Sequence, residues 1–164
     1  MREPGSDHMI QLEDILRVVE ALNREGVEYK VFGGGAVNFH GLPRSTEDVD
    51  FFVSPEPENV ARIKRALGSI WNDPNLDEIQ DDDMTGDYPS FQYTPPGEDY
   101  WMDFVSRLGE AFSYSDLESE VLDIRGVPVR TVTPATLYRM KRDTVRPKDK
   151  IDANALRLKF DLKE

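Results

Sequence analysis

The 164-residue chain contains no cysteine, so no disulfide can staple it, and its stability must come from a packed core compatible with a reducing compartment. It also lacks any apolar run approaching the roughly 20 residues that span a bilayer, and any apolar signal segment near its start. Neither membrane insertion nor secretion is expected, and the sequence reads as a soluble cytoplasmic protein. Positive charge is scarce: 20 Lys and Arg face 32 Asp and Glu, for a formal net charge of −12. Such a balance argues against the extensive phosphate-backbone contact on which non-specific nucleic-acid binders rely. The basic residues that could build a local site come late, in Arg139, Lys141, Arg142, Arg146, Lys148 and Lys150. Without an internal repeat or a linker, residues 9–164 are expected to form one domain. The polar octet MREPGSDH precedes a second methionine, Met9, and residues 1–8 are read as an artificial leader outside the fold.

Apolar residues at helical spacing (Leu12, Ile15, Leu16, Val19, Leu22) predict a one-faced helix over 10–24 that stops before Gly26. A strand over 28–32 then feeds Gly33-Gly34-Gly35, read as a turn, and a short helix over 36–40. Asp48 to Val53 reads as a second strand, followed by a helix that starts near Pro55 and Pro57 and carries Val60, Ile63, Leu67 and Ile70. Residues 72–87 hold seven acids and few apolar residues, which predicts a solvated, mobile loop. Two hairpins are expected: 88–94 with 100–106 around Pro95-Pro96-Gly97, and 121–125 with 127–132 around Gly126. Thr133-Pro134 opens a helix carrying Leu137, Met140 and Lys141. A last helix over 148–160 is expected to face inward with Ile151, Ala155 and Leu158.

Strand side chains alternate, so Asp48 and Asp50 leave one face while Val49 and Phe51 leave the other. Adjacent carboxylates repel each other and are most easily held together by a divalent cation. Asp103 stands alone among Tyr100, Trp101, Met102, Phe104 and Val105, where an acid needs a partner. Glycines just upstream of the aspartates offer bare backbone N–H groups to a phosphate. Three such acids suit metal-assisted phosphoryl or nucleotidyl transfer, with Asp48 and Asp50 bridging two ions and Asp103 completing the ion beside the nucleophile. Equally open from residues alone is a structural reading in which Asp48 caps or pairs with a basic residue and Asp103 answers an arginine. His40, before Gly41 at a helix end, is read as serving the helix dipole and not as a ligand.

Phe32-Gly33-Gly34, followed by Asp48-Val49-Asp50-Phe51 and later by Met102-Asp103-Phe104, resembles the signature of the polymerase-beta-type nucleotidyltransferase superfamily. Within it, Arg44-Ser45-Thr46-Glu47-Asp48-Val49-Asp50 is similar to the AbiEii-type nucleotidyltransferases of bacterial toxin-antitoxin pairs. Lys141 and the run Arg146-Pro147-Lys148-Asp149-Lys150-Ile151-Asp152 resemble the two motifs that follow the catalytic core in those relatives. The resemblance implies an α+β nucleotidyltransferase fold: a small mixed β-sheet flanked by helices, with C-terminal helices.

It further implies Asp48, Asp50 and Asp103 as catalytic and metal-binding residues for Mg²⁺, two ions, with Mn²⁺ as a substitute. Gly33, Gly34, Arg44, Thr46 and Lys141 would bind the nucleotide; Arg44 is placed equally well to pair with Glu47, and Asp149 to orient Lys141. Asp152 is assigned to the polar face of its helix. The expected activity moves an NMP from an NTP such as ATP to a hydroxyl on a tRNA end, a protein side chain or a small molecule, within a toxin paired with a cognate antitoxin. The alternative is a non-catalytic nucleotide-binding or partner-binding module of such a pair.

Overall fold

The computed structural model describes residues 10–42, 48–86, 89–110 and 112–163. Its strands are β1 (Tyr29–Phe32), β2 (Asp48–Val53), β3 (Ser90–Tyr93), β4 (Trp101–Val105), β5 (Arg107–Leu108), β6 (Phe112–Ser113), β7 (Ser119–Ile124) and β8 (Val127–Val132). The helices are α1 (Leu12–Arg24), α2 (Gly33–Phe39), α3 (Pro57–Ile70), α4 (Pro134–Arg142) and α5 (Pro147–Phe160). Six strands form one mixed sheet in the order β3-β4-β2-β1-β8-β7, and β5 and β6 make a separate two-stranded ribbon. The architecture is the α+β arrangement expected from the motifs, a small mixed sheet flanked by helices with two more helices at the C-terminal end.

Register explains the division of the sheet into two faces. β1 runs antiparallel to β2 with Val31 opposite Phe51, and β2 runs parallel to β4 with Phe51 opposite Phe104 and Asp50 opposite Asp103. Tyr29, Val31, Val49, Phe51, Met102 and Phe104 therefore share a face, and all are buried. The rings of Phe91, Phe104 and Phe51 stack in sequence along it, with centroids 4.7 and 5.2 Å apart. α1 and α3 pack against each other and contribute Val18, Leu22, Ile63 and Leu67 to the same core. On the opposite face lie Asp48, Asp50 and Asp103, a consequence of the period of two in β2 and β4.

Both hairpins form where turn residues predict them. At the β7–β8 turn Arg125 and Gly126 take φ of 53° and 88°, the paired left-handed conformation that suits a two-residue hairpin, and Asp123 Oδ1 accepts from the Gly126 N–H at 2.7 Å. Thr133 caps α4 by accepting from Thr136 N–H at 3.2 Å.

Three expectations need correction. The glycines are not a turn ahead of the helix; Gly33 to Gly35 form the first turn of α2 itself. The acidic stretch is not a mobile loop over its described residues: two 3₁₀ turns, Pro74–Glu78 and Asp81–Met84, hold it down through the buried Leu76, Ile79 and Met84. Its acids serve as caps and anchors, since Asp73 accepts from Asn75 N–H and the Tyr93 hydroxyl, and Asp83 accepts from Gln80 N–H. Finally, α5 is turned the other way. Ile151 and Leu158 are 69% and 64% exposed, while Asp149, Asp152, Ala153 and Leu156 face inward.

Candidate active site

β1, β2 and β4 converge on a cavity of about 470 Å³ that Gly33, Gly34, Asp48, Asp50 and Asp103 line on the sheet side. Across it stand Leu137, Met140 and Lys141 of α4, with Thr144, Arg146 and Asp149 at the approach to α5. Asp48, Asp50 and Asp103 each offer a carboxylate oxygen, and the three atoms lie within 4.8 Å of one another. The parallel pairing of Asp50 with Asp103 puts the third acid beside the first two, 53 residues apart in sequence but adjacent in the sheet.

Burial and like charge shape the protonation of Asp50 and Asp103. Burial, then the neighbouring charges of Asp48 and Asp103, push the Asp50 carboxyl up to about 8, with Lys141 pulling the other way. Burial and the Asp48 carboxylate push Asp103 up to about 6. Gln92, opposite Asp103 on the edge strand, donates to Asp103 Oδ1 at 3.4 Å.

Gly33 is demanded by this crowding. Its φ is 69°, and a Cβ there would collide with Asp50 Oδ2, so neither backbone nor space tolerates a side chain. The N–H groups of Gly33 and Gly34, at the start of α2, have no carbonyl within the helix to bond to.

Lys141 is buried, not the solvated lysine that an amphipathic helix face suggests. Its ammonium lies 3.1 Å from Asp149 Oδ1 and 3.0 Å from Asp152 Oδ2. The Thr144 hydroxyl donates to Asp149 Oδ2 at 2.8 Å, and Arg146 approaches the same oxygen at 3.8 Å. Although burial raises it, the Asp149 carboxyl is held below the usual carboxylate range, because Thr144 and Lys141 outweigh that cost. Asp149 does contact Lys141 as its spacing suggested, whereas Asp152 joins a buried ion pair instead of a polar surface.

Among the residues read from sequence, the structure brings Gly33, Gly34, Asp48, Asp50, Asp103 and Lys141 to one cavity. Arg44 and Thr46 lie outside the described residues. His40 is a structural histidine, its Nε2 2.7 Å from the Val132 carbonyl. Sequence reasoning missed Gln92 and Thr144, and it placed Asp152 on the same polar helix face as Asp149 without giving it a partner. The signal for Asp152 was present in the i, i+3 spacing of Asp149 and Asp152, which sets both on one helix face.

A sequence model of the family described as "Nucleotidyl transferase AbiEii toxin, Type IV TA system" matches residues 17–157. No curated protein matches the chain significantly. Among solved structures, the lincosamide antibiotic adenylyltransferase LnuA, lincomycin-bound, superposes with a TM-score of 0.60 at 11% identity, covering 91% of this chain and 98% of that one. ANT(2")-Ia in complex with adenylyl-2"-tobramycin gives 0.54 at 12% identity, covering 89% and 87%. An antigenic nucleotidyltransferase-like protein from Paracoccidioides brasiliensis gives 0.52 at 18%, covering 88% and 74%. At these identities the likeness is one of fold.

Proposed function

Since the chain belongs to the AbiEii nucleotidyltransferase toxin family, we propose that it transfers a nucleoside monophosphate from an NTP to an acceptor hydroxyl at the face built by Asp48, Asp50 and Asp103. One observation carries the reading: three carboxylates with oxygens within 4.8 Å of one another, facing a cavity. Such a cluster is electrostatically costly in itself, as the raised Asp50 and Asp103 carboxyls record, and an all-oxygen donor set suits a hard divalent cation. Asp48, Asp50 and Asp103 would hold Mg²⁺, as one ion or a pair, with Mn²⁺ as substitute. Bound there, the metal supplies charge neutralisation for the triphosphate and lowers the pKa of the attacking hydroxyl.

The chain's own groups account for the rest. Gly33 and Gly34 present N–H donors to phosphate oxygens, and Arg44 and Thr46, by their place in the family pattern, reach the same phosphates. Lys141 sets a positive charge at the cavity wall, its position fixed by Asp149 and Asp152. Asp103, at the β3 side, takes the proton of the acceptor hydroxyl on a carboxylate oxygen as that hydroxyl oxygen bonds to the α-phosphorus. The bond from α-phosphorus to the bridging oxygen breaks, and pyrophosphate leaves.

The acceptor is a tRNA end, a protein hydroxyl or a small molecule, and the toxin works opposite a cognate antitoxin in the cytoplasm. In the described residues no helix is long and apolar enough to cross a membrane. The test is transfer of label from each α-phosphate-labelled NTP, with Mg²⁺, to the protein itself, to total tRNA and to small-molecule fractions. Label that vanishes with Asp48→Asn or Asp50→Asn supports the reading and names the acceptor class. Mg²⁺-NTP binding without transfer to any fraction would instead support a non-catalytic module.

A further inference from the structure

A second cavity, of about 400 Å³, lies at the far end of β2 and β4 from the carboxylates. The two cavities flank the β4–β5 junction: Val105 and Leu108 line the catalytic one, Ser106 and Arg107 the other. Hydroxyls of Ser54, Thr85, Ser106, Ser113 and Ser115 share its lining with apolar surface from Met84 and two prolines, and Arg107 stands at the rim. The nucleotidyl-transfer reading gives these residues no role.

Ser54 and Ser106 are 5% and 4% exposed, which is unusual for serines unless their hydroxyls are satisfied. Ser106 is satisfied as a donor, giving its proton to the Met84 carbonyl at 2.6 Å. Ser54 accepts a long bond of 3.5 Å from the Glu56 N–H, but its O–H donates to no acceptor among the described residues. A buried hydroxyl with an uncommitted proton on the lining of a cavity is a ready donor for a ligand.

The chemistry of the wall selects the ligand class. Arg107 and Glu56 put one positive and one negative charge on the lining, so the cavity has no net charge with which to hold a phosphate. Hydroxyls both donate and accept, so the five in the lining complement a ligand that itself carries several hydroxyls. We propose that this cavity binds a neutral polyol of monosaccharide size, with the Ser54 O–H donating to a ligand oxygen and the Ser106 oxygen accepting from a ligand hydroxyl. This assignment stands apart from the nucleotidyl-transfer reading.

The test is a titration followed by ¹⁵N–¹H NMR of the full chain, with D-ribose, D-glucose and inorganic phosphate as probes. A sugar is expected to shift the amides of Ser54, Thr85 and Ser106 while leaving those of Gly33 and Gly34 in place, and phosphate is expected to leave the Ser54 cluster unmoved. Ser54→Ala should weaken the sugar about five- to tenfold, the loss of one buried hydrogen bond. Thr85→Val, at the exposed rim and with no bearing on the core, should weaken it in the same direction. The proposal is overturned if neither sugar moves these amides, if phosphate moves them as strongly, or if both variants bind sugar like the parent.

Discussion

Asp48, Asp50 and Asp103 line one side of the candidate cavity and Asp149, backed by Asp152, the other, and the two groups have opposite electrostatics. Asp48, Asp50 and Asp103 crowd together, and the Asp50 and Asp103 carboxyls are driven up, to about 8 and about 6. Asp149 and Asp152 are more deeply buried but close on the Lys141 ammonium at 3.1 and 3.0 Å, and Asp149 is driven down. The first group offers three carboxylate oxygens within 4.8 Å of one another, a donor set suited to a divalent cation. The second brings its own, and so fixes α5 and Lys141 where the first group needs a positive wall. A built-in cation thus separates the strut from the candidate site within one cavity lining, which Asp149 shares with the triad.

The comparison breaks most visibly at the triad. Asp48→Asn and Asp50→Asn should each lower Mg²⁺-dependent transfer by roughly 10³-fold or more, since several kcal/mol of charge stabilisation depend on the ligand set. Both variants should melt no lower than the parent without metal, Asp48→Asn because it relieves like-charge repulsion and Asp50→Asn because it replaces a carboxyl whose ionisation the site disfavours; thermal melts beside the transfer assay check both halves. Lys141→Met does the reverse on the other wall. Leaving Asp149 and Asp152 buried without their cation should cost about 3–5 kcal/mol, read from urea unfolding. Gly33→Ala forces a side chain into a φ of 69° and against Asp50, and should cost about 1–3 kcal/mol in the same experiment.

A pH scan sharpens the contrast further. Asp50 ionises near 3.9 when unfolded and at about 8 when folded. With the folded value raised, its stabilising contribution is complete below pH about 4 and is lost as pH rises through about 8. Metal-free protein should therefore lose stability across that window, Asp50→Asn should flatten the loss, and Mg²⁺ should restore it. The smallest effect tests the orientation of α5. Ile151→Ser should change stability by no more than about 0.5 kcal/mol, whereas Leu156→Ala should cost about 2–5 kcal/mol. Equal costs would mean that the helix faces the other way.

That helix shows where sequence stops being sufficient. Ile151, Ala155 and Leu158 recur at helical spacing as well as Asp149, Asp152, Ala153 and Leu156 do, and hydrophobicity favours the first set. What decides is the position of the Lys141 ammonium, a tertiary fact absent from any local window. The acidic stretch fails for a related reason: composition counts its charges but does not see Leu76, Ile79 and Met84 as anchors or Asp73 and Asp83 as caps. By contrast, the triad was legible, because alternation within β2 fixes Asp48 and Asp50 on one face and the apolar flanks of Asp103 mark it as an acid in need of company. Gly33 and Gly34 were legible as donors but not as the first turn of α2, since a glycine run reads as a turn until the approach of Asp50 gives a reason for its helix start.

The most direct measurement is calorimetric titration of the protein with Mg²⁺ at pH 7 in two buffers of different ionisation enthalpy. If the triad is the cation site, binding must displace the proton that the raised Asp50 carboxyl retains there. About one proton should be released per site, fewer at pH 9, and none in Asp50→Asn. Binding that releases no proton in the parent, or the same number in Asp50→Asn, would contradict the assignment of the metal to Asp48, Asp50 and Asp103.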